Sequence, residues 1–585
     1  MALRVPTAST NLFKEGYKTL QGLEDAVIRN IQATKEMSEI TRTSFGPYGR
    51  NKMVVNRLDK LFITSDAATI IQELEVVHPA AKLLVMASQQ QEAEAGDGTN
   101  YVVIFASELL QKAEYLLRMG LHPSEIAQGY EMALEKAMNL LEDLVVDSVT
   151  DLRDKSQVSK VTQTSIAPKE FGYQEFLGNL VAEAVVSVMP SNTQNFNVDN
   201  IRVVKILGGN ILQSAVVAGM VFPREPESTV KNVKDAKIAV YSCPFDIGQT
   251  ETKGTVLLKS AKEMLKFTKD EETQMESIVS DIVKSGINVV ICGSGVGDLA
   301  LHYLNQNKIM VIKFPSKFEL RRVCRLTGAN AMARLGAPTK EEIGTVDHVL
   351  IEEIGSDRVT VFRNGKDSEN HSEADSLVAT IVLRGATQNY LDDVERAVDD
   401  GVNVIKALTK DSRLVAGATA TEMELSHLIS QYADSSSTTN QYAIRKFGEA
   451  FEIFSRTIAD NCGLDGTDLV TRLVAAHYNT GNDNKNSTSS DSNNAKESDG
   501  ALSEGSNANL VGPNIGINVD ADNSSQGLLD SVKNKIFEPL AVKQWALRYA
   551  TQAALTVLQV DQIIMAKAAG GPKAPPNKGH WDDQE

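Results

Sequence analysis

Backbone N–H groups exposed by a glycine-rich turn at a helix N-terminus bind anions. Gly96-Asp97-Gly98-Thr99, directly before a helical run starting near Tyr101, has that form. Asp97 adds a carboxylate. Beside bound phosphates it would repel them unless Mg²⁺ lay between, so the turn suits a phosphate-plus-magnesium site; taken alone, it fits a capped tight loop equally well. Other candidates are the turn TSFGPYG (43–49), Asp66 in TSDAAT (64–69), Asp400 in ERAVDDG (395–401) and Gly417 in LVAGATATE (414–422). Singly, Asp66 reads as a helix N-cap and Asp400 as a solvated helix carboxylate. No GxxxxGK[ST] is present, so any nucleotide site is not a P-loop. A competing signal, Gly293-Ser294-Gly295-Val296-Gly297-Asp298, follows a strand-like run as a dinucleotide-binding turn would. Its third glycine falls one place early and KIMVIKF (308–314) ends without an acidic residue, so it reads as an ordinary turn between strand and helix. The four cysteines (Cys243, Cys292, Cys324, Cys462) form no CxxC, and the eight histidines form no HExxH, which leaves neither structural zinc nor a His-based zinc hydrolase.

These residues need elements to carry them. Apolar positions at Leu23, Ala26, Val27, Ile31, Ala33 and Ile40 predict an amphipathic helix over 20–45 that stops at Gly46-Pro47. KMVVN (52–56) and LFITSD (61–66) predict two short strands, with a helix beginning at Ala67, so Asp66 falls at a strand-to-helix junction. From Pro79 to Val146 the pattern is helical, broken only at AGDGTN (95–100) and GLHPSE (120–125), where Pro123 suits a first helical turn. Strand-like runs IRVVKIL (201–207), AKIAVYSC (236–243), NVVICG (288–293) and KIMVIKF, interspersed with amphipathic helices, predict an α/β region. After VTVFRN (359–364) and the polar stretch 366–375, the strand SLVATIVLRG leads into helices running from 388 to 478. A helical block, an α/β insert and a second helical block predict a nested chain whose two ends share one domain.

At 585 residues the chain has room for about three or four domains. Its net charge of −17 excludes wrapping nucleic acid or anionic lipid through a dominant basic surface. No run approaches the 18 or more apolar residues of a membrane span, and MALRVPTASTNLFKEG lacks the apolar core of a signal peptide, so a cytosolic location is expected. Residues 481–511, rich in Asn, Ser, Asp and Gly, predict a disordered surface loop, and the tail from about 571 predicts a flexible end. No repeat of 20–50 residues is found.

Taken together in chain order, these motifs resemble the group II chaperonin subunits, the family of the eukaryotic TCP-1 ring complex. That family's T-x-x-G-P-x-G-x-x-K turn is met by Thr43, Gly46, Pro47, Gly49 and Lys52. Its TNDGAT-like strand end is met by TSDAAT, its HPAAKLL at 78–84, and its GDGTT by GDGTN (96–100). The late ERA-x-DDA helix, the GGGA-x-E turn and E-P-L-x-V-K are met by ERAVDDG, Gly417 to Glu422 and EPLAVK (538–543).

The resemblance implies a multi-domain α and β chaperonin fold. It comprises a mainly helical equatorial ATPase domain from 1–146 and 412–585, a small α/β intermediate domain from 147–217 and 373–411, and an α/β apical domain at 218–372 with a lid protrusion near 249–280. It also implies that Phe45, Gly46 and Pro47 lie against ATP or ADP, that Asp97 ligates Mg²⁺, and that Gly98, Thr99 and Asn100 hold phosphates beside Tyr101. Asp66 and Asp400 would orient and deprotonate the attacking water. Lys169 in SIAPKE would sense the γ-phosphate, Gly417 and Ala418 would approach phosphate or ribose, and Asn518 and Glu538 would contact the nucleoside end. On the apical helix KFELRRVCRL (317–326), Phe318, Arg321, Arg322 and Arg325 would face protein clients, although a core-packed stripe with a solvated basic face accounts for most of these residues as well.

The implied partners are related subunits in a hetero-oligomeric double ring, non-native clients of the actin and tubulin class, and prefoldin-type co-chaperones, with no nucleic acid and no membrane. Three departures mark this chain: Asn100 for the second Thr of GDGTT, Ala67 for the Gly of TNDGAT, and Gly417-Ala418-Thr419 for the glycine triplet. Cβ atoms beside the phosphates leave binding expected and turnover open, so a nucleotide-binding structural ring member with little hydrolysis is the alternative. A metabolic enzyme using the GSGVG turn leaves TSFGPYG, GDGTN and EPLAVK unexplained.

Overall fold

The computed structural model describes residues 18–21, 26–246, 260–355, 357–363, 378–478, 510–521, 523 and 526–565. The predicted polar stretch 366–375, most of the insert 481–511, the tail and the first part of the lid segment lie outside the described residues; the remainder of that segment falls in the helix Ala261–Lys284.

The two ends of the chain share one core. Helices Ile28–Arg42, Pro79–Ala95, Thr99–Arg118 and Pro123–Asp143 pack with Ala420–Ser435, Asn440–Ala450 and Leu540–Leu558. Phe105, Tyr130, Phe447, Phe451 and Phe454 lie fully buried at the centre. Aromatic payload of this size dominates core energetics, and truncating any one of them to Ala is expected to cost about 3–5 kcal/mol. Pro79 and Pro123 open their helices, where a missing N–H costs nothing. The predicted hairpin is present, Lys52–Val55 against Leu61–Thr64, and the 20–45 helix is shorter than its apolar spacing suggested, at Ile28–Arg42.

The middle of the chain builds an eight-stranded mixed sheet. Its order is Ile201–Leu207, Ala379–Gly385, Ala215–Phe222, Asp357–Arg363, Gly344–Ile354, Asn232–Tyr241, Val289–Cys292 and Met310–Lys313. The strand Ala215–Phe222 changes partner halfway: residues 215–218 pair with 379–382, and 219–222 with 360–363. Gly219, at φ +135°, occupies the changeover, and a Cβ there would lie 1.9 Å from the Phe362 carbonyl oxygen. On either side of this point lie separate cores. One packs Lys155–Ile166, Gln174–Val188 and Gln388–Lys410 against Ile381 and Leu383; the other gathers Phe222, Ile238, Ile291, Phe314 and Phe362.

Three connections matter for the site. Strand Arg413–Ala416 pairs with Val145–Ser148 on one side and with Phe537–Pro539 on the other, setting Val415 opposite Glu538. The helix Gln388–Lys410 crosses from the middle of the chain to the helical ends, where Asp393 accepts a hydrogen bond from the Thr64 hydroxyl at 2.7 Å. The buried His477, at the end of Gly466–Tyr478, faces Glu424 Oε2 at 2.7 Å and the Ile515 carbonyl oxygen at 2.9 Å. The Gly512 amide returns to the Ala476 carbonyl at 3.4 Å, so the chain re-enters the fold beside the point where it left.

Candidate nucleotide site

A cleft of about 500 Å³ opens between the helical ends and the first part of the middle region. At one end, the loop 96–98 is shaped by two left-handed glycines, Gly96 at φ +72° and Gly98 at φ +77°. A Cβ on Gly96 would lie 2.2 Å from Asn403 Cβ, so the loop is pressed against the Gln388–Lys410 helix. Asp97 Oδ1 accepts from the Gly98 amide at 2.6 Å and Oδ2 from the Ser165 hydroxyl at 3.0 Å. Its carbonyl accepts from Gln91 Nε2 at 2.8 Å. Thr99 begins the 20-residue helix whose N-terminus faces the cleft.

Asp66 caps the helix Ala67–Glu73, with Oδ2 accepting from the Thr69 amide at 3.1 Å and its hydroxyl at 2.7 Å. Asp400 comes from the long crossing helix. Lys169 joins them: its ammonium lies 2.6 Å from Asp400 Oδ2 and 3.5 Å from Asp66 Oδ1. Burial pushes the Asp400 carboxyl well above the usual carboxylate range, against the pull of Lys169 and with Asp97 and Asp66 adding repulsion. Burial also acts on Asp66, but there Lys169 and the two Thr69 bonds prevail and hold the carboxyl low. The two acids are thus driven in opposite directions, as a site that must both hold and accept a proton requires.

The opposite wall carries Ala418, Thr419, Asn518 and Glu538. Ala418 and Thr419 adopt left-handed φ of 53° and 64°, uncommon for residues with a Cβ. The turn is nevertheless held: the Ala418 carbonyl accepts from the Ile517 amide at 3.0 Å, and Thr419 Oγ1 meets Ser455 Oγ at 3.0 Å. Phe45, Gly46 and Pro47 form a further edge, with the Phe45 carbonyl accepting from Asn461 Nδ2 at 2.8 Å. Tyr101 stacks on Phe454 at 4.0 Å.

All the sequence-predicted nucleotide residues meet in this cleft except Gly417. Its amide and carbonyl are taken by Ile536 and Ser531, which hold it behind the wall that Ala418 and Thr419 form. The apical residues lie elsewhere. Phe318, Arg321 and Arg325 are exposed; Arg322 Nε donates to the Asp199 carbonyl at 2.9 Å, and Arg325 also bonds Asn200. Two of the three arginines are therefore engaged within the chain, and Val323 and Leu326 are core. The GSGVG turn takes no part in the cleft; Gly297 caps the helix Asp298–Gln306.

Sequence reasoning missed one cluster. Lys543, buried on the helix Leu540–Leu558, pairs with Glu422 and, at 2.8 Å, with Glu538 Oε2. Both new residues stood in motifs already noted, EPLAVK and LVAGATATE. Nothing in their spacing shows that the two motifs meet.

The chain's own residues fit Mg²⁺ bound with a phosphate ligand. Three carboxylates face one ammonium, an excess of negative charge that would repel a bare triphosphate. No group of three or more acidic, His or Cys side chains among the described residues forms a metal cage, so a cation here would take Asp97 plus ligand oxygens, as Mg²⁺ commonly does.

Among the described residues no helix is long and apolar enough to cross a membrane. The TCP-1/cpn60 chaperonin family model matches residues 37–568. The chain is 52% identical over 584 residues to the probable T-complex protein 1 subunit theta of Schizosaccharomyces pombe, covering 100% of both chains. It is 48% identical over 587 residues to the T-complex protein 1 subunit theta of Mus musculus and to that of Homo sapiens, again covering 100% of each. The cleft geometry, the family match and the full-length relatives agree: the chain belongs to the TCP-1/cpn60 chaperonin family.

Proposed function

We propose that this chain is a theta-type subunit of a cytosolic TCP-1 ring complex, a hetero-oligomeric double ring that folds non-native proteins, including the actin and tubulin class, by turning over ATP. The helical ends are the equatorial ATPase domain, the core around Gln388–Lys410 the intermediate domain, and the sheet beyond Gly219 the apical domain. The observation that carries the reading is the meeting, in one cleft, of Asp66, Asp97, Lys169 and Asp400 from four separate segments.

Within that reading, the Thr99 amide donates to phosphate oxygens, joined by the Gly98 amide once Asp97 Oδ1 turns from it, and Asp97 would hold Mg²⁺. The ion supplies charge neutralisation of the phosphates. Asp66, kept ionised, orients the attacking water, and Asp400 takes its proton. Lys169 turns from the two carboxylates toward the γ-phosphate when nucleotide enters; a cation held at Asp97 would offset the repulsion that raises Asp400, so that Asp400 gives up its own proton to solvent and is then free to accept the water's. Because Asp400 rides on the helix that joins the two regions, filling the site is felt in the middle of the chain. Asn518 and Glu538 face the nucleoside end. Phe318, Arg321 and Arg325 remain available to clients, with Arg322 and Arg325 steadied by Asp199 and Asn200.

The test is the native mass of the complex recovered through this chain, with its subunits identified. A particle near a megadalton with related chains in equal amounts is expected; a monomer or small homo-oligomer under gentle conditions would overturn the ring assignment. The left-handed Ala418 and Thr419, where the family pattern has glycine, favour a second reading in which this subunit binds nucleotide but hydrolyses little.

A further inference from the structure

Asp393 is 3% exposed and Thr64 is fully buried. Asp393 Oδ1 accepts from the Thr64 hydroxyl at 2.7 Å, the one hydrogen bond its carboxyl receives among the described residues. Arg396 stands 3.7 Å off, too far to donate. A buried carboxyl so thinly paired costs stability, and an apolar side chain would pack there without that cost. Its use lies in what Thr64 does next. Thr64 Oγ1 also accepts from the Asp66 amide at 3.0 Å, at the junction between the strand Leu61–Thr64 and the helix that Asp66 caps. A hydroxyl has one proton and rotates; pointing that proton at Asp393 turns a lone pair toward the Asp66 amide.

Asp393 and Asp400 lie two turns apart on one face of Gln388–Lys410, about 10 Å along its axis. Tyr390, one turn before Asp393 on the same face, donates its hydroxyl at 3.3 Å to Oε2 of Glu170, the residue after Lys169. One stripe of this helix therefore carries Asp400 and grips the two segments that bring Asp66 and Lys169 to it.

Resting on the nucleotide reading above, we infer that Asp393 is a positioning residue for hydrolysis: through the Thr64 hydroxyl it holds Asp66 in register with Asp400 across the attacking water. A misplacement of about 1 Å between reacting groups slows a reaction by about a hundredfold, so loss of the link acts on rate more than on binding. Asp393 is also within electrostatic reach of Lys169 and Asp66, so its charge and its link to Thr64 have to be separated.

The experiment is single-turnover hydrolysis of labelled ATP by rings assembled with each variant, corrected by the Asp400→Asn ring, which removes this chain's own share. Beside it stand the ATP dissociation constant and amide exchange over residues 64–69 of the full-length chain. Thr64→Val, which keeps shape, and Asp393→Ala are each expected to slow turnover by roughly 10- to 100-fold, to leave the dissociation constant within about threefold, and to raise exchange at the junction. Asp393→Asn keeps an acceptor for the hydroxyl without the charge, and Thr64→Ser keeps the hydroxyl; both are expected within about threefold of the parent rate. The double variant Thr64→Val with Asp393→Ala is expected to be no slower than the slower single one, because both break the same link. Thr64→Val serves if Asp393→Ala does not fold. Either variant at the parent rate overturns the inference, as does junction exchange that stays at the parent level or a dissociation constant that weakens in step with the rate. Asp393→Asn as slow as Asp393→Ala overturns it too, by making the charge responsible. A parent chain that binds ATP without turning it over overturns the inference and leaves the second reading above; one that binds no ATP overturns the nucleotide reading itself.

Discussion

Replacing Asp400 by Asn separates catalysis from stability in this fold. The substitution keeps shape and removes the ionisable group of a half-buried carboxyl whose side chain is 17% exposed. At an effective dielectric of about 20, the pair with Lys169 at 2.6 Å is worth at most ~6 kcal/mol of attraction, reached only when Asp400 is ionised, and the Lys169 pair with Asp66 at 3.5 Å ~5 kcal/mol. Against the lost attraction stand two gains, the desolvation cost of a buried ion, several kcal/mol, and relief of repulsion from Asp66 and Asp97. Lys169 keeps a partner throughout, so the terms nearly cancel and the change in unfolding free energy is expected to stay within about 2 kcal/mol. Removal of the proton acceptor is expected to slow hydrolysis by about 10²–10⁴-fold, or roughly 3–5.5 kcal/mol in the barrier. The assay is single-turnover hydrolysis of labelled ATP by rings assembled with the variant, beside the ATP dissociation constant and denaturant unfolding of the same chain. A variant that hydrolyses within about threefold of the parent refutes Asp400 as acceptor. A dissociation constant that weakens in step with the rate would make Asp400 a binding group instead.

Lys169→Met, by contrast, strands two carboxylates and is expected to cost about 3–5 kcal/mol in a denaturation midpoint analysis. Ala418→Gly relieves a left-handed φ and is expected to raise stability by about 0.5–1 kcal/mol, read by denaturation. Gly219→Ala drives a Cβ into the Phe362 carbonyl and is expected to cost about 3 kcal/mol or more, visible as loss of soluble folded chain. Burial, then repulsion from Asp393, pushes Glu170 up to about 7, against the hydrogen bond from Tyr390. The folded state thus holds that proton more tightly than the unfolded chain, and the contribution to stability is full below the ordinary value of about 4.3 and lost as pH rises through about 7. Glu170→Gln is expected to flatten the stability-versus-pH curve across that window, measured by denaturation at a series of pH values.

Local features were readable in the chain because local chemistry decides them. Asp66 as an N-cap, Pro79 and Pro123 opening helices and the glycines around Asp97 each follow from the geometry of a few neighbouring residues. What escaped depends on distant segments. The strand Gly344–Ile354 pairs with its neighbour Asp357–Arg363 on one side, but its other edge is set by Asn232–Tyr241, over 100 residues away, and its own alternation is weak. The basic face of the apical helix is solvent-exposed as its pattern implies, but the bonds of Arg322 and Arg325 to Asp199 and Asn200 join remote segments and leave no mark in the sequence. Gly417 near phosphate or ribose is an expectation of the resemblance alone; that its amide and carbonyl bond Ile536 and Ser531 is again a contact between distant segments. Lys543 and Glu422 were hidden for a different reason: a buried ion pair has no signature in the composition of either motif.

The clasp at His477 bears on how the complex can be handled. The imidazole and the Gly512 amide tie the two strands of chain that flank residues 479–509 to one spot on the helical ends. Since the ends are pinned by the fold, closing a longer segment between them adds only about 0.6 kcal/mol for each doubling of length. The position is therefore a natural socket: an affinity tag or a fluorescent reporter can be spliced there, so that purification and distance measurements on the assembled ring need not touch either chain terminus.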